Sequence, residues 1–139
     1  MDSLKMPSLL SLQGSCLCGA IGFEAKGAFT GFYLCHCQHC QKDTGSAHGA
    51  NVFLEGATIE WLKGVAALTT YTLPGTRHSK SFCQHCGSAL PTLNGSNLLV
   101  PAGCLDKAPP LTPTAHLFTA SMAQWEPALD DIPRFKALP

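Results

Sequence analysis

Seven of the eight cysteines in this chain fall into three short groups. Cys16-Leu17-Cys18 is a C-x-C and Cys83-Gln84-His85-Cys86 is a C-x-x-C. Cys35-His36-Cys37-Gln38-His39-Cys40 packs three thiols into one short loop. Thiols this close converge on one centre, because a tight turn points neighbouring side chains inward. Two chemistries use such spacing: a disulfide framework in an oxidising compartment, or thiolate ligation of a metal in a reducing one. Disulfide scaffolds rarely crowd three cysteines into one loop. A redox C-x-x-C is expected beside a βαβ pattern, which this sequence lacks. The spacing therefore reads as zinc ligation.

A closed structural zinc takes four protein ligands and a catalytic zinc usually three. The seven thiols divide naturally in that way. Cys16, Cys18, Cys83 and Cys86 make a Cys₄ set that ties the start of the chain to its middle. Cross-linking so long a loop removes unfolded-state freedom, which is a structural task. Cys35, Cys37 and Cys40 supply three thiolates from one loop and leave a position open for chemistry. Cys104, His36, His39 or His48 would instead close that position. Cys104 lies in Ala102-Gly103-Cys104-Leu105, where a buried core role is favoured over ligation. His36 and His39, inside the knuckle, are expected to point outward. His85 reads as an exposed filler or a donor to a ligand, and His78 and His116 as surface or satisfied core residues.

The segments that must position these loops alternate apolar and polar residues with short period. Phe23 to Lys26, Ala50 to Leu54, Thr58 to Leu62 and Leu68 to Leu73 read as strands. Glu55-Gly56 reads as a turn, and Pro74-Gly75 ends another strand. Ser79 to Phe82 leads into Cys83. Ala89 to Leu93 and Leu98 to Ala102 bracket Asn94-Gly95-Ser96-Asn97, a hairpin signal. Helical candidates are His39 to Thr44 and Ala128 to Ile132. Pro109, Pro110 and Pro113 mark a loop. Many short strands punctuated by Gly and Pro predict a mainly β fold.

Length and composition set the frame. A chain of 139 residues, 45% hydrophobic and 13% charged, reads as one folded domain with its own core. Residues 1–12 are expected to form a loosely ordered N-terminal segment. They hold no long apolar run with a cleavage site, so no signal peptide is read there. No stretch reaches the length of a membrane helix, and a cytoplasmic setting is expected. Nine Lys plus Arg balance nine Asp plus Glu. Seven thiolates and two Zn²⁺ would lower the formal charge to about −3. That balance argues against a nucleic-acid partner.

The ordered motifs G-S-C-L-C-G-A, C-H-C-Q-H-C-Q-K-D-T-G-S, F-C-Q-H-C-G-S, A-G-C-L-D and H-L-F-T-A-S…W closely resemble the glutathione-dependent formaldehyde-activating family, also called the GFA or centromere protein V family. The resemblance runs from about Gln13 to Phe135. It implies an Mss4-like fold of several small antiparallel sheets built around zinc knuckles. It implies Cys16, Cys18, Cys83 and Cys86 as structural zinc ligands, and Cys35, Cys37 and Cys40 as ligands of a second, catalytic zinc. Cys104 departs from the family, where a small residue is more usual. Trp125 matches a family aromatic and is expected to pack in the core or a lid.

The implied chemistry is carbon–sulfur bond formation and cleavage, with glutathione and formaldehyde giving S-hydroxymethylglutathione. Glutathione is anionic, so cationic or amide donors must hold it. Lys42, Arg77 and Lys80 are the candidate cations, and Gly45 and Ser46 offer backbone and hydroxyl donors. The competing reading is a non-catalytic, zinc-stabilised binding module. That class should carry a basic extension, and the net charge of zero favours the enzyme.

Overall fold

The computed structural model describes residues 8–109 and 111–139. Its elements follow from the short-period alternation. In β1 (Leu9–Ser15), Leu12 and Gly14 are buried while Leu9, Ser11 and Gln13 face out. This strand pairs antiparallel with β2 (Gly22–Cys35) along its length. The expected loose N-terminal segment is thus corrected from Leu9 onward, because Leu10 and Leu12 pack on the core. Residues 1–7 lie outside the described part.

A six-stranded sheet is ordered β1-β2-β3-β8-β7, with β9 added beside β2. Here β3 is Gly49–Lys63, β7 Thr92–Asn94, β8 Asn97–Pro101 and β9 Ala115–Leu117. A second sheet is ordered β4-β5-β6, from Leu68–Thr72, Ser79–Cys83 and Ala89–Leu90. The fold is mainly β, and β9 on β2 is a parallel pairing among antiparallel ones.

Two expectations about strand ends need correction. Glu55-Gly56 does not end a strand. Gly56, at φ +59, is absorbed as a bulge, and β3 runs on to Lys63. Ala28 pairs with Glu55 and Lys26 with Thr58, so β3 carries an extra residue opposite Gly27. Ala89 to Leu93 is not one strand either. Pro91 has no N–H for a ladder, and the chain changes sheets there, from β6 to β7. The hairpin at Asn94–Asn97 forms, with Gly95 at φ +61. The helix over His39 to Thr44 forms as α1 (Gln38–Thr44), and Ala128 to Ile132 is a short 3₁₀ segment, Glu126–Asp131.

The core lies between the sheets. Phe23, Val52, Leu54, Leu98 and Val100 come from the larger sheet, and Cys83 and Leu90 from the smaller. Each of the five apolar side chains is at most 1% exposed, which is worth about 1.5–3 kcal/mol apiece.

One glycine fixes how β3 ends against the first cysteine turn. Gly64 sits at φ +73, and a Cβ there would collide with the carbonyl oxygen of Ala20. Gly64→Ala should therefore lower stability by at least about 2 kcal/mol, from the left-handed backbone and the clash together. A chemical denaturation midpoint equal to the parent's would contradict that placement.

Candidate metal centres and the cavity beside them

Each cysteine group sits where a strand gives way to a turn. Cys16 follows β1, and Gly19 N–H donates to its carbonyl (3.0 Å), closing a turn that brings the exposed Cys18 beside the sulfurs of Cys16 and Cys83. Cys83 ends β5. Its carbonyl accepts from Gly87 N–H (2.7 Å) and its own N–H donates to Ser88 O (3.1 Å), which wraps the chain around Cys86. Gly87, at φ +74, supplies the backbone conformation this return needs. The two turns are linked directly, since Leu17 N–H donates to Ser88 Oγ at 3.0 Å.

The sulfurs of Cys16, Cys18, Cys83 and Cys86 all lie within 4.8 Å of one another. Cys16 and Cys18 are 3.7 Å apart, and Cys18 and Cys83 are 3.9 Å apart. A tetrahedral Zn–S₄ centre has sulfur–sulfur edges of ~3.8 Å. The donor set therefore fits zinc in kind, number and spacing. Backbone amides are already aimed at the sulfurs: Ile21 N–H at Cys16 (3.2 Å) and His85 N–H at Cys83 (3.4 Å). Such bonds favour thiolates.

Acidity within the group is divided. Ser88, through its hydroxyl and its backbone, brings the Cys86 thiol down to about 5. Burial works against the Cys16 thiolate, but the Ile21 amide and the Cys18 and Cys83 thiols outweigh it and lower its pKa. The Ala20 amide favours the Cys18 thiolate, yet burial and the neighbouring thiols prevail and push it up to about 11. Four negative sulfurs at these distances repel one another. A divalent cation removes that conflict.

Cys35, Cys37 and Cys40 form the second group, also within 4.8 Å of one another. Cys35 ends β2. Cys37 caps α1, its sulfur accepting from Cys40 N–H at 3.3 Å, and Cys40 lies in the helix's first turn. Cys37 is lowered: burial opposes ionisation, but the Cys40 amide and the adjoining thiols outweigh it. Cys40 is pushed well up by burial and by its two partners. Three thiols fit zinc one donor short of closure. Cys104 belongs to neither group. It packs against the core, where burial pushes its thiol up to about 12.

A cavity of about 810 Å³ opens beside the second group, bounded by residues of both sheets. Cys35 and Cys40 line it, with Asp43, Arg77, His78 and Lys80. Phe53, Leu90 and Leu99 add apolar wall. Of the five candidate contacts for an anionic thiol, Arg77 and Lys80 reach this cavity. Lys42, Gly45 and Ser46 do not line it, and all three are exposed. Lys80 is already engaged, donating to Asp43 O at 2.6 Å and pairing with its Oδ1 at 3.0 Å.

The histidines depart from expectation at one position. His39 and His85 are exposed, as read from the sequence, but His36 is fully buried. Its Nε2 meets His116 Nδ1 at 2.7 Å, and its Nδ1 lies 2.9 Å from Glu126 Oε2. The His48 ring sits 5.1 Å away, edge-on. The reason is topological. β9 pairs beside Cys35, and His36 N–H donates to Leu117 O, so the later chain covers the knuckle. Gln41 Nε2 adds bonds to His36 O and Ser121 O, each 2.8 Å. Trp125 is 56% exposed and is not a core residue; its neighbour Glu126 turns inward instead. No local pattern marks His36, His116 and Glu126 as partners, since they come together only through β9.

The two groups differ in what they support. Cys83→Ala opens the four-sulfur set at the end of a core strand and should leave no soluble folded protein. Cys37→Ala removes a helix cap worth about 1 kcal/mol and should leave a folded chain. Expression and thermal melts by circular dichroism test both, and a fully stable Cys83→Ala protein would contradict the structural role.

With the geometry in place, the relatives can be read. The model of the family described as glutathione-dependent formaldehyde-activating enzyme matches residues 11–121. The crystal structure of a Rhodobacter sphaeroides protein is similar at 26% identity, with a TM-score of 0.55. The match covers 76% of this chain and 99% of that one. Among the described residues, no helix is long and apolar enough to cross a membrane. The family match spans well over half of the sequence, and the chain belongs to the glutathione-dependent formaldehyde-activating family.

Proposed function

We propose that this protein is a zinc-dependent carbon–sulfur lyase-type enzyme acting on thiol adducts. Its representative reaction is glutathione plus formaldehyde giving S-hydroxymethylglutathione, and the reverse. The observation that carries this reading is the placement of Cys35 and Cys40 in the wall of the 810 Å³ cavity, in a three-thiol group one donor short of closure. Cys35, Cys37 and Cys40 would hold the second zinc, and Cys16, Cys18, Cys83 and Cys86 the first. Bound at the open group, zinc supplies the positive charge that keeps a substrate thiol ionised near neutral pH.

The chain's own residues supply binding and orientation. Arg77 lines the cavity and makes no ion pair among the described residues, so its guanidinium is free for a glutathione carboxylate. Lys80 has two of its three donor positions taken by Asp43 and adds charge more than contact. Phe53, Leu90 and Leu99 give the cavity an apolar wall alongside its charged residues. In the forward step the sulfur lone pair forms the C–S bond. The carbonyl π pair moves to oxygen, which takes up a proton. The reverse step breaks the same C–S bond. The partners are thus a small thiol and an aldehyde or related electrophile. Free thiol groups of this density persist in a reducing compartment, which supports a cytoplasmic setting.

Because thiols add to formaldehyde unaided, the test is exchange at equilibrium. Two-dimensional NMR exchange between glutathione and S-hydroxymethylglutathione should speed up in proportion to added protein. Cys37→Ala, although folded, should lose at least about 100-fold of that acceleration. Exchange at the uncatalysed rate with the wild-type protein would leave a binding module as the better reading.

A further inference from the structure

The reaction moves a proton as well as a C–S bond, and the cysteine groups do not provide a carrier for it. The cavity holds one constellation suited to that task. Asp43 stands three residues after Cys40 in α1, so both lie on one helix face. Its Oδ2 accepts from His78 Nε2 at 2.7 Å, while its Oδ1 pairs with Lys80 at 3.0 Å. Both Asp43 and His78 line the cavity with Cys35 and Cys40. Their side chains are 18% and 23% exposed, accessible from the cavity yet largely shielded. The His78 backbone is fixed independently, since its N–H donates to Thr76 Oγ1 (3.1 Å) and its carbonyl accepts from Leu73 N–H (2.9 Å).

From this geometry, and resting on the thiol-adduct reading above, we infer that His78 is a catalytic proton carrier and Asp43 its positioning residue. A carboxylate bound at Nε2 holds the hydrogen there and leaves Nδ1 as the basic nitrogen. Nδ1 makes no hydrogen bond to the protein among the described residues. It takes the proton that the incoming thiol gives up on binding, and the thiolate sulfur then attacks the carbonyl carbon. Nδ1 then returns that proton to the new alkoxide oxygen. In the reverse direction Nδ1 removes the hydroxyl proton, the C=O bond reforms, and the C–S pair leaves with sulfur and is protonated. No proton is gained or lost overall. Lys80 has a separate duty: it pins the other carboxylate oxygen and prevents Asp43 from turning away.

The titratable and charged groups that face His78 are Asp43 and Lys80 on its carboxylate side and the His39 ring at 5.5 Å. Arg77 and the Cys35 and Cys40 thiols face the same cavity.

The test compares wild-type protein, His78→Gln and Asp43→Asn at matched zinc content, using the glutathione–formaldehyde exchange assay across pH. His78→Gln should slow exchange by about 100-fold or more, chiefly in kcat rather than KM. It should also flatten the pH limb of the wild type, and added imidazole should restore part of the rate. Nitrogen-15 NMR of the wild type should show His78 protonated at Nε2 and bare at Nδ1, with that preference lost in Asp43→Asn. A His78→Gln protein within about threefold of wild type, with the same pH profile, would overturn this assignment alone. A His78 ring protonated at Nδ1 instead would overturn it without reference to activity. A wild-type protein that accelerates no exchange would overturn both the assignment and the reading beneath it.

Discussion

Four cysteine sulfurs held within 4.8 Å of one another govern how this chain is arranged. Cys16 and Cys18 follow an edge strand of the larger sheet, Cys83 ends the middle strand of the smaller one, and Cys86 follows it. Their convergence joins the two sheets at one corner, across a long intervening segment. As thiolates they would repel, and a cation at the centre would relieve that repulsion. Within the group Ser88 lowers the Cys86 thiol, while at Cys18 the Ala20 amide is outweighed by burial and the neighbouring thiols, which raise it. The cavity depends on this corner, because residues of both sheets form its walls.

The second group is built differently, and the difference suits exchange over permanence. Its three thiols come from one strand end and one helix turn. It is held from behind rather than closed from the front. His36, His116 and Glu126 fasten the later chain over the back of the loop, and Gln41 adds two bonds to backbone carbonyls. Cys35 and Cys40 meanwhile face the cavity. A buried, paired histidine between two thiols stiffens the loop without occupying its open side.

Features encoded locally were legible in the sequence. Cysteine spacing alone divides the thiols into the two groups found, and the packing of Cys104 follows from its apolar neighbours. The Asn94–Asn97 hairpin and the helix after Cys37 rest on turn chemistry that needs no distant partner. What escaped depends on long-range pairing. Glu55-Gly56 carries a turn signature, but continuous pairing with β2 turns it into a bulge. His36 turns inward because β9, some eighty positions on, lies beside Cys35. Lys42 and Arg77 look alike as cations flanking knuckles, yet Arg77 alone of that pair reaches the cavity. The Asp43–His78 contact likewise joins a helix to a turn before another strand, with no periodicity to announce it.

The central claim is that two zinc centres of unequal closure serve scaffold and chemistry separately. Zinc content of freshly, anaerobically purified protein, with and without added glutathione, tests it most directly. The account predicts two zincs per chain, one firmly held and a second, more labile one disturbed by glutathione. A single tightly held zinc indifferent to glutathione would leave the four-sulfur corner standing and contradict the open centre.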